Sequence, residues 1–365
     1  MEQPMILIFL PSELSCLNAT TADLEFLREK LPAEKQNALH LSHDEEDFLA
    51  NLPKAKTVIV WRFIQEWFDL APHLRHIYTP AAGRDYFKVV PPPTVTMHYG
   101  NFHGTIMGET ALACILAVTH GILPFATTMT NGTNPWPRQE ITSSKRIALS
   151  TVAILGFGNI GQAFAKMLMP FGAKIIGITR TTHPELATKF PTVKLATIDE
   201  LDSELPEIDH LVCILPSGKE TTDLIDANRI ALMKDTAYIY NFGRGNLIDE
   251  DALVKALHNK KLGGAILDVF KTEPLPKDSQ LRKAPNCYLY PHSSAFSPDY
   301  LKLYFEKIIF IKIYDLSFNF VNLCKVLSFC IRHYSLRHTT NGHVDSEVAH
   351  EFSVQGVTCR FPVLI

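Results

Sequence analysis

Residues Thr151–Gly161 read TVAILGFGNIG, and the chain runs on as QAFAKML. An apolar strand, a Gly-x-Gly-x-x-Gly turn, an amphipathic helix over Ile160–Met169 and a second apolar run at Ala173–Thr179 form one βαβ unit. Each glycine answers a steric need. Gly156 permits the tight turn. Gly158 lets backbone approach a pyrophosphate that any Cβ would strike, and Gly161 lets the helix lie close to the strand. The helix N-terminus, with Asn159 and Ile160 in its first turn, offers N–H groups and a partial positive charge to phosphates. A glycine-rich turn alone means little; in this context it predicts a parallel, doubly wound α/β sheet that binds a dinucleotide.

The same rhythm continues downstream. His210–Leu215, Ala237–Tyr240 and Gly264–Val269 read as strands, with helices at Thr221–Met233 and Glu250–Asn259, giving a sheet of five or six strands. Upstream, Met5–Leu10, Thr57–Val60 and His76–Thr79 read as buried strands, and Thr21–Lys30 and Glu45–Asn51 as helices. This predicts a second, smaller doubly wound domain. Pro91–Pro93 make a stiff break. Gly104–Val118 reads as a helix apolar enough to be buried on every side, and Thr127–Ser144 as an irregular arm. After Tyr300 the pattern degrades, and His333–Ile365 shows no clear element.

Composition sets outer limits. The 365 residues carry 35 Lys+Arg against 38 Asp+Glu, a net charge of −3, and 46% are hydrophobic. That length suits about two domains. The balance argues against a nucleic-acid or anionic-membrane partner, and no apolar run reaches the roughly 18 residues of a spanning helix. Seven scattered cysteines without CxxC spacing and a start lacking a basic, then apolar, leader predict a cytoplasmic protein with reduced thiols. No histidine pair has metal-ligand spacing, His338 and His343 included.

Cofactor choice is read at the end of the second strand, where an Asp or Glu would hold a ribose 2′-OH. Here Thr179-Arg180-Thr181 supplies no carboxylate. Arg180 and its flanking hydroxyls suit a 2′-phosphate instead, which predicts NADP(H), with NAD(H) as the alternative; a solvated surface arginine is the plain reading. Three further segments, NFGRGNLIDE (Asn241–Glu250), GGAILDVFKTEPLP (Gly263–Pro276) and PHSSA (Pro291–Ala295), each place a chemically useful side chain at a strand end or in the loop beyond. Arg244, Glu273 and His292 would therefore meet in the crevice beyond the strands' carboxyl ends.

These motifs, in this order, resemble the D-isomer-specific 2-hydroxyacid dehydrogenases, with the glyoxylate/hydroxypyruvate reductase group the nearest in character. LGFGNIG, NFGRGNLID, LDVFKTEPLP and PHSSA match the family's second half. VIVWRF and TPAAGRDYF resemble its two substrate-side loops, and HGTIMGETALACILA its crossing helix. The likeness runs over residues 5–310. It implies NAD(P)H-dependent reduction of a small 2-keto acid. His292 would give the proton, as an imidazole can near neutrality; Glu273 would orient it, and Arg244 would hold the substrate bidentately. The main chain of Ala81, Ala82 and Gly83 would take the substrate carboxylate, and Trp61 would either face the substrate or cap the small domain's core. Leu215, Pro216, Phe242, Gly243 and Asp268 would line the cofactor, Asp268 at the nicotinamide amide. The resemblance further implies a discontinuous substrate domain (1–103 and 296–325), a cofactor domain over 104–295 and an atypical tail over 326–365. It also implies a homodimer through Ile106–Val118 and the arm around Trp136. Two other functions share the fold: formate oxidation, which Glu273 disfavours because that group has Gln there, and a non-catalytic nucleotide sensor. His98, His103 and Glu109 read as structural.

Overall fold

The computed structural model describes residues 5–123, 125–126 and 144–308, and the backbone of 348–354 and 357–363. Met1–Lys307 form one compact unit and Ile308–Ile365 another. The first unit holds two all-parallel sheets. Strands β1 (Met5–Phe9), β2 (Leu39–Leu41), β3 (Ala55–Val60), β4 (His76–Thr79) and β5 (Thr96–Tyr99) lie in the order β2-β1-β3-β4-β5. Strands β6 (Thr151–Leu155), β7 (Lys174–Thr179), β8 (Lys194–Thr197), β9 (His210–Cys213), β10 (Tyr238–Asn241), β11 (Gly264–Leu267) and β12 (Cys287–Leu289) lie in the order β12-β11-β10-β9-β6-β7-β8. The first is a flavodoxin-like order. The second is the dinucleotide-binding order extended by one strand, with its switch point between β6 and β9.

Five and seven strands replace the three and the five or six predicted. All four unforeseen strands, β2, β5, β8 and β12, are sheet edges. An edge strand is short and only partly covered, so its sequence lacks the continuous apolar run of a central strand. Helix boundaries follow caps. Thr20 and Asp23 form a reciprocal box at α1 (Thr21–Lys30), and Asp44 caps α2 (Glu45–Asn51). The helix predicted over Thr221–Met233 is only Ala227–Leu232, because Asp226 caps Arg229 and Ile225 is drawn into a bridge with Ile248.

Along β6, Ala153 and Leu155 enter one core with Leu211, Ile239 and Leu253. Val152 and Ile154 face the other, with Ile115, Phe164 and Tyr240. That second face is covered by α3 (Gly104–Thr119) and α4 (Asn159–Leu168), which pack so closely that a Cβ on Gly104 would lie 2.7 Å from the Ala163 Cβ. Contrary to the prediction, α3 is not buried all round: Thr105, Glu109 and Ala113, four residues apart, form an exposed stripe. The smaller sheet has its own core around Phe48, Leu52, Val58 and Trp67.

The tail, in which no element was foreseen, carries an antiparallel pair, Val348–Val354 with Val357–Val363. The arm around Trp136 and the segment around Lys325 lie outside the described residues. Among the described residues no helix is long and apolar enough to cross a membrane, and Cys16, Cys114, Cys213 and Cys287 are free thiols.

Candidate active site

The glycine loop follows β6. Gly156 has φ +108°, and a Cβ there would come 2.7 Å from the Ile214 carbonyl oxygen. A Cβ on Gly161 would come 2.4 Å from the Gly156 carbonyl oxygen, so α4 rests directly on the turn. A Cβ on Gly158 would meet only open space, and no side chain caps the helix. The loop therefore fits a dinucleotide. Asn159 is exposed and Ile160 half-buried beside it. At the end of β7, the Thr179 hydroxyl donates to the Thr181 carbonyl at 2.7 Å, and exposed Arg180 meets Glu220 at 3.4 Å.

The neighbouring loops are packed to contact. A Cβ on Gly243 would lie 2.5 Å from the Leu215 carbonyl oxygen. Pro216 accepts from the Thr221 hydroxyl, and Phe242 is buried with its N–H on the Cys213 carbonyl. Asn241 pins the turn beyond β10, accepting from the Gly243 N–H at 3.1 Å and donating to the Arg244 carbonyl at 2.9 Å.

His292 stands in the loop after β12, in the left-handed region at φ +54°. Its N–H donates to the Asp268 carbonyl at 2.9 Å. Its Nδ1 lies 2.7 Å from Glu273 Oε2, and Glu273 Oε1 accepts from the Phe270 N–H at 2.9 Å. Both Glu273 oxygens are thus directed, one to hold the carboxylate and one to hold the imidazole. Asp268 is 1% exposed, and its carboxylate accepts from the Ser293 and Ser294 N–H groups and the Ser294 hydroxyl. It lies under the histidine loop and fixes it.

Arg244 points from the loop after β10 to the loop after β4. Its Nε and Nη2 donate to the two Asp85 carboxylate oxygens at 2.9 and 3.0 Å, and Nη1 donates to the Gly243 carbonyl at 2.9 Å. The Arg244 hydrogen bonds hold the Asp85 carboxyl below the usual carboxylate range, with the nearby His292 adding to the effect. Arg244 and His292 both lie near Asp85, so the loops after β10 and β12 approach the loop after β4 that carries Ala81, Ala82 and Gly83. The Ala81 N–H is engaged by the Thr79 hydroxyl at 3.2 Å, which withholds that donor from a ligand. Trp61 is half-buried, donates to the Leu17 carbonyl at 2.9 Å and lies 6.0 Å, ring to ring, from Tyr300.

Three participants escaped the sequence reading. Asp85, Glu220 and Ser294 each act through a partner distant in sequence, and only the Gly-Arg-Asp run after the small loop hinted at the first. His103, read as structural, is 4% exposed and hydrogen-bonded to the Tyr300 hydroxyl at 2.9 Å; burial pushes its imidazole down to about 4.

Residues 112–294 match the model of a family described as D-isomer specific 2-hydroxyacid dehydrogenase, NAD binding domain. The chain belongs to this family. Among its members, the glyoxylate reductase of Thermofilum pendens is 33% identical over 232 residues, 62% of this chain and 67% of that one. The glyoxylate/hydroxypyruvate reductase B of Pectobacterium carotovorum is 33% identical over 232 residues, 62% of this chain and 71% of that one. Among solved structures, a D-lactate dehydrogenase of Treponema pallidum superposes with a TM-score of 0.68 at 23% identity, covering 86% of this chain and 96% of that one. A D-isomer specific 2-hydroxyacid dehydrogenase of Xanthobacter autotrophicus, solved with NADPH and MES, gives 0.67 at 23% identity, covering 84% of this chain and 93% of that one; both show the shared fold. This D-2-hydroxyacid dehydrogenase is an oxidoreductase that uses a nicotinamide cofactor.

Proposed function

We propose that this dehydrogenase reduces a small 2-keto acid of the glyoxylate or hydroxypyruvate class to the D-2-hydroxy acid, with NADPH preferred over NADH. The observation that carries the reading is the His292–Glu273 contact at 2.7 Å. A ketone becomes an alcohol by gaining a hydride at carbon and a proton at oxygen. The nicotinamide, when bound, supplies the hydride. His292 delivers its proton to the carbonyl oxygen, and Glu273, 2.7 Å from Nδ1, orients the ring for transfer. Arg244 holds the keto-acid head, helped by main chain at Ala82 and Gly83. Asp268 keeps His292 in place. In this reading the smaller sheet carries the substrate loop, residues 104–295 carry the cofactor, and Arg180 with Thr179 and Thr181 receives a 2′-phosphate. The homodimer belongs to the same proposal, with the exposed stripe of α3 as the face to be covered.

The test is oxidation of NADPH and NADH, followed by absorbance, with a panel of 2-keto acids. Turnover of glyoxylate or hydroxypyruvate is expected, with kcat/KM higher for NADPH. Arg180→Ala should cut the NADPH value about 10- to 100-fold, the loss of one charge-assisted bond of roughly 1.5–3 kcal/mol, and leave NADH nearly unchanged. NADPH binding without turnover of any acid would favour the sensor, and a strong NADH preference would overturn the role of Arg180.

A further inference from the structure

An arginine that is to hold an anionic substrate already holds a carboxylate. Asp85 meets Arg244 through two parallel hydrogen bonds of 2.9 and 3.0 Å, and the two residues come from different sheets, 159 positions apart in the chain. The fork-on-fork arrangement fixes the plane of the guanidinium as well as its position. The backbone is cut back to seat it: a Cβ on Gly83 would lie 1.8 Å from Arg244 Nη2 and 2.4 Å from Asp85 Oδ1. On the other side the Gly243 carbonyl takes Nη1 at 2.9 Å. Three directed contacts and a glycine-sized gap make a socket for one orientation of one side chain. A long, flexible arginine left to itself would lose rotamer entropy on meeting its ligand.

We propose that Asp85 is a positioning residue, which sets the Arg244 guanidinium in the direction that receives the carboxylate of the 2-keto acid. The proposal rests on the 2-keto acid reading of the cleft. Because Asp85 and Gly83 belong to the smaller sheet and Arg244 to the larger, the oriented arginine exists only when the two faces of the cleft are apposed.

The experiment compares the full-length wild type with Asp85→Asn and Asp85→Glu. It measures NADPH binding by fluorescence, binding of oxamate (an unreactive 2-keto acid analogue) to the NADPH-loaded enzyme by calorimetry, and steady-state kinetics with glyoxylate and hydroxypyruvate. Asp85→Asn should leave NADPH affinity within about twofold, weaken oxamate about tenfold, and raise KM by more than it lowers kcat, as loss of one charge-assisted contact implies. Asp85→Glu should recover part of the oxamate affinity. Unchanged oxamate binding in Asp85→Asn would overturn the proposal, and tighter binding would show Asp85 to be a competitor that the substrate displaces. If Asp85→Asn does not fold, Gly83→Ala, which displaces the pair while keeping both charges, should show the same loss, and unchanged oxamate affinity there overturns it equally. Wild type that binds oxamate but turns over no 2-keto acid would sink the proposed function and leave Asp85 to be decided by the binding data. Wild type that binds no oxamate sinks the inference as well.

Discussion

His292 occupies a backbone conformation, φ +54°, that costs a side-chain-bearing residue on the order of 1 kcal/mol or more. The cost is met locally. The Asp268 carbonyl and carboxylate together bind the N–H groups of His292, Ser293 and Ser294, so the strained turn is held at three consecutive residues. The imidazole is then aimed by Glu273, itself aimed by the Phe270 N–H. Removing the end of this chain should cost activity and little else. His292→Ala is expected to lower kcat by about 10²- to 10⁴-fold, the usual span for general acid catalysis, with NADPH affinity within about twofold by fluorescence titration. Full turnover in that variant would refute the proton-donor role. Glu273→Gln keeps a hydrogen-bond acceptor but not the charge, and its kcat should fall by less. Arg244 and Glu273 were legible in the sequence because each follows a strand that the apolar pattern identifies, β10 and β11, whereas His292 follows the unforeseen β12 and was legible only through its PHSSA motif. Asp85 was not, since its meaning lies wholly in a partner 159 positions away and its own neighbourhood, Gly83 to Tyr86, has the look of an ordinary polar turn.

At the scale of elements, α4 and the turn before it are closely packed. The Gly161 position touches the Gly156 carbonyl, and the neighbouring face of α4 carries Phe164, Ala165 and Leu168 into the core. Gly161→Ala would drive a methyl to 2.4 Å from that carbonyl oxygen and lift the helix from β6. A loss of about 1–3 kcal/mol is expected, the usual cost of overpacking, read as a lower Tm, together with weaker NADPH binding because the helix N-terminus moves. An unchanged Tm and cofactor affinity would show that the contact is not tight. The same tightness explains why this region was readable: three glycines at fixed offsets between two apolar runs leave few alternatives. The edge strands had no such constraint. β8, read KLAT, and β12, read CYL, are too short for their pattern to outweigh that of a loop, and they are strands because a central strand offers them unpaired backbone. Thr221–Ile225 shows the opposite failure: a helix-compatible run was overridden where Ile225 forms an isolated bridge with Ile248.

Among the described residues two histidines are buried, His103 and His210. His103 is bonded to Tyr300 and His210 to Tyr240, and burial pushes both imidazoles down to about 4. In the unfolded chain they titrate near 6.5. Between these values the unfolded state binds protons that the folded state refuses. Stability therefore falls as the pH drops from about 6.5 toward about 4, by up to about 1.4 kcal/mol per pH unit for each histidine, and is insensitive to them above about pH 7. Thermal melts at pH 7, 6 and 5 should show Tm falling by a few degrees per unit, with the slope reduced in His210→Gln. A flat profile over that range would mean that the two rings are hydrated in the folded protein.

The His103–Tyr300 bond joins positions 197 residues apart, and Trp61 and Phe102 pack their rings on the same tyrosine. During synthesis the smaller sheet is therefore complete in strands long before it is complete in contacts. At about 5–20 residues per second, the ribosome needs on the order of 10–40 s to deliver Tyr300 after His103. Through that interval the emerging amino-terminal sheet has an uncovered aromatic seat, and the final helix of this compact unit, which begins at Tyr300, is the one that closes it.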